Sequence, residues 1–575
     1  MLDLIIAGGT VVDGTGSAPR VADIGVRDGV IVEVGKLSEM AHRTIDASGH
    51  IVTPGFIDVH THYDGQATWD VELDPSFSAG VTTAIFGNCG VGFAPVRLGD
   101  EKKLIELMEG VEEIPGTALH EGMKWSWSSF PEYLDVMDVP RAFDIGALLP
   151  HGPLRRYILR DKVGTNKCAS GEELSAMAAI VDEAMKAGAF GLSSSRTPFH
   201  RTLTGDMTDD FNVDEPELAA LAAKVSRHGG YFELAPLGSE GSDFEGLKRE
   251  MQLYQRIIDR THVNMQVAVV QAEAYSDYWR EQIKWVDAMN ASGPQRVYAQ
   301  VAARSVGAML SFYGINPFMD RPTMIAVKNR FPKEQWLGEL RKPEIKAAIL
   351  AEHSQPGSFG EYINRFADKC YDLGENIDHE PGAEQRITNM AALRGIKTAD
   401  LLYELMLETN ENPRVMIILQ NYKHGNLDAV AEMLWTPGTV WSLSDAGAHV
   451  QSLCDGSVPA FMLTHWVRDR TRGQRVPLET VISKLTRDAA EAVGFNDRGE
   501  LLAGYKADIN ILSLDQLTLE KPRFFYDLPG GASRLMQLVR GFRATIVSGR
   551  VTREHDQPTG ELPGRLIRHK SACAA

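Results

Sequence analysis

Strand and helix signals alternate through the middle of this 575-residue chain, and both ends carry short β-rich runs instead. Candidate strands fall at 56–60, 81–89 (VTTAIFGNC), 143–149, 189–195 (AFGLSSS), 230–237 (GYFELAPL), 263–271 (VNMQVAVVQ), 297–305 (VYAQVAARS) and 439–445 (TVWSLSD). Amphipathic helices separate several of them. Ser170 and Glu173 open SGEELSAMAAIVDEAMKAG as a capping box that Gly188 closes. DEPELAALAAKVSRHGG repeats the design, acidic at its start and glycine at its end. Eight such units predict an α/β fold, a TIM-like (β/α)8 barrel over residues 54–494 with its functional residues at the C-terminal ends of the strands. A doubly wound sheet is the weaker alternative, because no G-x-G-x-x-G follows a first strand. VMIILQN at 415–421 is a ninth candidate and one too many; it belongs with an insertion near 313–421, where long loops form lids.

The ends read differently. LIIAGGTVVDG, ADIGVRDGVIVEVG and TIDASGHIVTPG alternate β-formers with glycine turns, and the texture returns in ADINILSL and RATIVSGRVTRE. Residues 1–53 and 495–575 are therefore expected to build one composite β domain, a small β-sandwich formed from both termini. The formal charge of −18 argues against nucleic acid or an anionic membrane as partner. No apolar run reaches the roughly 20 residues a bilayer requires, and the N-terminus lacks the basic region of a signal peptide. Five scattered cysteines (Cys89, Cys168, Cys370, Cys454, Cys573) fit free thiols in a reducing compartment. The expectation is a cytoplasmic protein, with a homo-oligomer left open.

GFIDVHTHYD places His60 and His62 one residue apart at the end of the first candidate strand. Alternation turns both to one side, so one metal can take both imidazoles. An isolated H-x-H is weak evidence; Pro54-Gly55 before it, Asp58 beside it and the barrel pattern strengthen it.

With GGTVVDGTG, TPGFIDVHTHYD, GVTTAIFGNCGVG, PHGPLR at 150–155, SDAGAH at 444–449 and GELLAGYKADINIL in this order, the chain resembles the amidohydrolase superfamily, in its N-acyl-D-amino-acid deacylase (D-aminoacylase) branch. The resemblance covers nearly the whole chain. It implies a TIM-like barrel flanked by the split β domain, and metal-assisted hydrolysis of an amide. It also implies His60 and His62 as metal ligands and Cys89 as the thiolate this branch uses where others place a carboxylated lysine. Asp445 would be both ligand and proton acceptor for the attacking water. Cys89 as an inert buried thiol and Asp445 as a helix cap are the bland alternatives.

The branch supplies two further histidines, for a second metal, from strands five and six. Here the matching positions hold Leu234 and Val269, so that second site is incomplete. Three readings compete: one zinc suffices, since one ion can polarise a carbonyl and acidify water; Glu233, Gln271, His200 or His151 refills the site; or the metal chemistry has decayed. His151 is expected to assist oxyanion stabilisation. Arg155, Arg196 and Arg304, near the ends of strands three, four and seven, could grip a substrate carboxylate, or else form ordinary ion pairs. Tyr63, Trp69, Trp125, Trp127 and His465 are expected to be packing or structural residues. The expected activity is hydrolysis of a small-molecule N-acyl amino acid. A cyclic or other small amide, or a non-enzymatic binding role on a decayed barrel, is the alternative.

Overall fold

A computed structural model describes residues 1–162, 168–202, 205–239, 241, 243–356 and 358–570; Cys573 lies outside them. Eight strands in the middle of the chain run parallel: β1 (Phe56–Asp58), β2 (Val81–Phe86), β3 (Asp144–Ala147 continued by Leu149–Pro150), β4 (Gly191–Ser195), β5 (Tyr231–Ala235), β6 (Asn264–Ala268), β7 (Val297–Ala302) and β8 (Thr439–Ser442). Each pairs with its sequence neighbour, and all fall within the predicted segments except that β3 runs one residue past 149, to Pro150. Beyond β8, Ala446 bridges Thr61 in parallel and its carbonyl accepts the His62 N–H at 2.8 Å, which brings the chain after the last strand against the chain after the first.

Helices return the chain between strands, as parallel pairing demands. Gly171–Ala187 starts on the Ser170 capping box and ends at Gly188 in the left-handed conformation, as its sequence predicts. Glu215–Arg227, Phe244–Thr261 and Tyr278–Ser292 follow β4, β5 and β6. Their apolar stripes, with Met177, Val181, Leu218, Leu221, Ile257 and Ile283, close over one face of the strands in the largest core. Between β2 and β3 lies a helical excursion, Glu101–Glu112, Gly116–Gly122 and Phe130–Met137. It reaches the site described below.

Strands from both ends of the chain share a sheet. Strands Leu2–Val11, Arg20–Arg27, Val30–Gly35, Ala41–Asp46 and Ile51–Pro54 share one nine-stranded sheet with Ile509–Leu512, Phe542–Val547, Arg550–Glu554 and Gln557–Pro558. The two ends meet where Ile51–Pro54 pairs antiparallel with Ile509–Leu512. Asp144 at the start of β3 ties this region to the parallel strands, accepting from Arg498 and Lys506 at 2.8 Å each.

The extra strand, Val415–Gln420, is indeed outside the parallel set. It pairs antiparallel with Val306–Met309 and Cys370–Asp372. The insertion thus begins at Val306, seven residues earlier than the expected Tyr313, because the chain leaves β7 directly into this small sheet. It has its own core, including Leu310, Phe312, Phe318, Leu340, Tyr403 and Met406. No helix among the described residues is long and apolar enough to cross a membrane.

Candidate metal centre

His60 and His62 are both buried just past β1, with ring centroids 5.4 Å apart. Cys89 follows β2 on a tight turn. Its φ of 55° lies in the left-handed region that non-glycine residues seldom adopt. Asn88 holds the turn by donating its side-chain amide to the carbonyls of Thr61 and Ile85. Gly90 next to it admits no side chain, since a Cβ there would stand 2.2 Å from the Asp210 carboxylate. The result aims Cys89 Sγ at His60 Nε2, 3.4 Å away. Ligand atoms of His60, His62 and Cys89 all lie within 4.8 Å of one another, the one such group among the described residues.

Asp445 arrives from a turn in which Leu443, Asp445 and His449 all have positive φ. Ser444 pins this turn by donating to Asp58 Oδ2 at 2.6 Å. Asp445 Oδ1 lies 3.3 Å from His60 Nε2 and 3.7 Å from His62 Nε2. Burial opposes its ionisation, but the two imidazoles outweigh burial and hold the carboxyl below the usual range.

The donor set suits a cation, and a relay of amides shows why. The Ala492 carbonyl can only accept, so the Gln266 side chain must turn its Nε2 toward it, at 2.8 Å. Gln266 Oε1 then accepts from Gln300 Nε2 at 2.8 Å, which leaves Gln300 Oε1 to accept from His60 Nδ1 at 2.9 Å. His60 therefore carries its proton on Nδ1. Its Nε2 lone pair faces a sulfur and a carboxylate oxygen, neither a donor once ionised. This is how a metal-ligating histidine is oriented by a neighbour on its other nitrogen. Burial, then the carboxylates of Glu233, Glu112, Asp445 and Asp210, push the Cys89 thiol well above its ordinary range. A cation among these groups would reverse that and favour the thiolate.

Strand five carries the position matched from sequence to the branch's histidine. Leu234 is fully buried in the apolar core, and Val267 is its register partner. Alternation gives the opposite side to Glu233, which accepts the Cys89 N–H at 2.9 Å through Oε2. Glu233 Oε1 is buried without a partner, and burial pushes the carboxyl up to about 8. On strand six, Val269 likewise lies in the core. Gln271 is not available as a ligand: its Oε1 accepts from the Lys423 backbone and its own N–H donates to Asn421, so it anchors the insertion.

The polar candidates from the strand ends are largely committed elsewhere. His151 contacts Ser194 Oγ through Nδ1 and Glu217 Oε1 through Nε2, both at 3.0 Å, so neither ring nitrogen is open as an oxyanion donor. Arg155 pairs with the same Glu217. Arg196 lies 2.8 Å from Glu250, and buried Arg304 pairs with Asp455 and donates to His379. These three guanidinium forks hold carboxylates of this chain, not of a substrate. The reason is tertiary: each fork, buried or largely so, met an acid brought to it by the fold, which composition could not assign. His465 pairs with Glu380 at 3.1 Å, and Trp127 donates to the Phe93 carbonyl, as structural residues do. His200, by contrast, stays near the centre. Its Nδ1 is 2.8 Å from Ser195 Oγ, and His449, His62, Asp445 and His60 are among the charges it feels.

Three contributors escaped the sequence reading. Gln300 is the lone amide of an apolar strand and Gln266 lies between Met265 and Val267, a signal that could have marked them. Glu112 sits in EGVEEIP, where nothing separates it from the solvated acids around it.

Residues 43–553 match the pattern described as the Amidohydrolase family. Over 577 residues the chain is 26% identical to N-acyl-D-aspartate deacylase of Alcaligenes xylosoxydans xylosoxydans, covering 98% of this chain and 95% of that protein. It is 33% identical over 232 residues to D-aminoacylase of the same organism, a match that spans 40% of this chain and 43% of the relative. The crystal structure of N-acyl-D-glutamate deacylase from Bordetella bronchiseptica, complexed with zinc and a phosphonate inhibitor, superposes with a TM-score of 0.64 at 21% identity over 99% of both chains, which marks a shared fold. With the family pattern running from the composite sheet through all eight parallel strands and back to that sheet, this chain belongs to the amidohydrolase family.

Proposed function

We propose that this protein is a zinc-dependent amidohydrolase that cleaves the amide bond of N-acyl-D-amino acids. The observation that carries the reading is the convergence of His60 Nε2, His62, Cys89 Sγ and Asp445 Oδ1, with the His60 tautomer fixed by Gln300. Family membership and the activities named for the relatives support the substrate class. We also read the eight parallel strands as the (β/α)8 barrel of residues 54–494. On the same reading, residues 1–53 and 495–575 form a β-sandwich beside it.

His60, His62, Cys89 and Asp445 would hold a single zinc, which when bound supplies Lewis acidity toward the carbonyl and lowers the pKa of water to near 7. Asp445 is ionised at neutral pH, so it accepts the proton of the attacking water and returns it to the leaving nitrogen. His200 takes the place expected of His151. Removal from water, with the nearby imidazoles, brings its pKa down to about 3, so it is neutral. With the Ser195 hydroxyl donating to Nδ1, its Nε2–H is free to donate to the developing oxyanion.

The test is a hydrolysis screen of N-acetyl D- and L-amino acids on metal-loaded and chelated protein. Zinc-dependent turnover of the D series supports the reading. Metal-loaded protein that hydrolyses neither series overturns it.

A further inference from the structure

The second imidazole of the pair, His62, has no amide relay like that of His60. What faces its Nδ1 is Glu112, the last residue of helix Glu101–Glu112. Glu113 ends that helix with a φ of 53°, so the chain turns and Glu112 is left pointing inward, only 1% exposed. Among the described residues no lysine or arginine pairs with it. Its two oxygens divide between two histidines: Oε1 is 3.5 Å from His62 Nδ1, and Oε2 is 3.5 Å from His449 Nε2. At 3.5 Å the His62 contact is longer than a settled hydrogen bond. Yet both its atoms are buried and neither has a hydrogen-bond partner among the described residues, so none of these competes for them.

The backbone repeats the connection. The Glu112 carbonyl accepts the His449 N–H, and Ser452 donates to the Glu113 carboxylate at 2.6 Å. The end of this helix therefore grips the turn from Asp445 to Ser452, the turn that presents Asp445 to the centre. His449, whose side chain is 25% exposed, carries the contact from buried Glu112 toward the surface.

We propose that Glu112 is a positioning residue that couples the His62 ligand to the Asp445–His449 turn through its two carboxylate oxygens. It rests on the metal-dependent reading above. Oε1 takes the Nδ1 proton of His62 and so directs the Nε2 lone pair toward Cys89 and Asp445, as a carboxylate behind a metal-bound histidine does. Oε2 fixes His449 and, with the backbone bond, the approach of Asp445. A helix from the excursion between β2 and β3 thereby controls two parts of the centre at once.

Glu112→Gln tests this with little change of volume. It keeps one acceptor oxygen but replaces the other with a donor, so it cannot accept from both imidazoles. Zinc affinity is measured by competition with a chromophoric chelator, alongside the visible spectrum of the cobalt-substituted protein and Tm of the metal-free form. The expected result is a 10–100-fold loss of zinc affinity and a shifted cobalt spectrum, with Tm little changed. At saturating zinc, kcat should remain at least tenfold down while KM moves little, because the Asp445 turn is loosened. Unchanged affinity and spectrum in a variant with lowered Tm would mean Glu112 is only structural, and overturns the proposal. Full recovery of kcat at saturating zinc overturns its His449 half. Wild-type protein that binds no metal defeats the functional reading itself, a result separate from either.

Discussion

Replacing Gln300 with leucine removes the middle of the amide relay while filling a similar volume. Two buried groups lose their partners: the His60 Nδ1–H and Gln266 Oε1. Each orphan costs about 1–3 kcal/mol when no water reaches it, so metal-free protein should unfold at clearly lower urea. The larger consequence is chemical. Without an acceptor at Nδ1 the His60 proton is free to move to Nε2, which abolishes the lone pair facing Cys89 and Asp445. Loss of such a partner typically lowers metal affinity 10–100-fold, about 1.4–2.8 kcal/mol. Gln266→Leu is the control. It leaves Gln300 in place to accept from His60 and removes only what orients it, so its effect on affinity should be smaller than that of Gln300→Leu. Chelator competition gives the zinc affinities, and urea titration of metal-free protein gives the stabilities. A Gln300→Leu variant that binds zinc within twofold of wild type would refute the tautomer reasoning, whatever its stability.

Asp445→Asn keeps size and removes the charged acceptor, so kcat should fall by about 10²–10⁴ with the fold intact; activity retained within about tenfold, 1.4 kcal/mol of barrier, means the proton goes elsewhere. Cys89→Ser should weaken zinc retention, and in wild type the chelator should increase alkylation of Cys89, mapped by peptide because other thiols are present; a serine variant with full metal and activity would make Cys89 a packing residue. Leu234→His should lower Tm without raising the zinc count, because position 234 faces the apolar core. A second zinc bound by that variant would show that the register assigned to strand five is wrong.

Much of this protein is written locally. The H-x-H spacing marked His60 and His62, which lie together just past β1, and the Ser170 and Gly188 signals delimited a helix; both are properties of a few consecutive residues. The pairing of the termini was legible because Gly-punctuated β runs recur at both ends. The limits of the centre were not. The sequence match set a histidine position at Leu234, and only the pairing of β5 with its neighbours turned Glu233 toward Cys89, since a shift of one residue exchanges the two faces of a strand. Whether Arg155, Arg196 and Arg304 would grip a substrate or form ordinary ion pairs stayed open, because sequence lists cations without their partners. Folding brought Glu217, Glu250 and Asp455 to them, as burial of a charge requires. His151 lost its expected role the same way. Gln300 meets His60 across 240 positions, and Glu112 reaches His62 from a helix outside the parallel strands. Which strand ends carry the candidate ligands was decided by local pattern, but the tautomer that leaves the His60 Nε2 lone pair facing Cys89 and Asp445 was decided by long-range contacts that exist only in the folded chain.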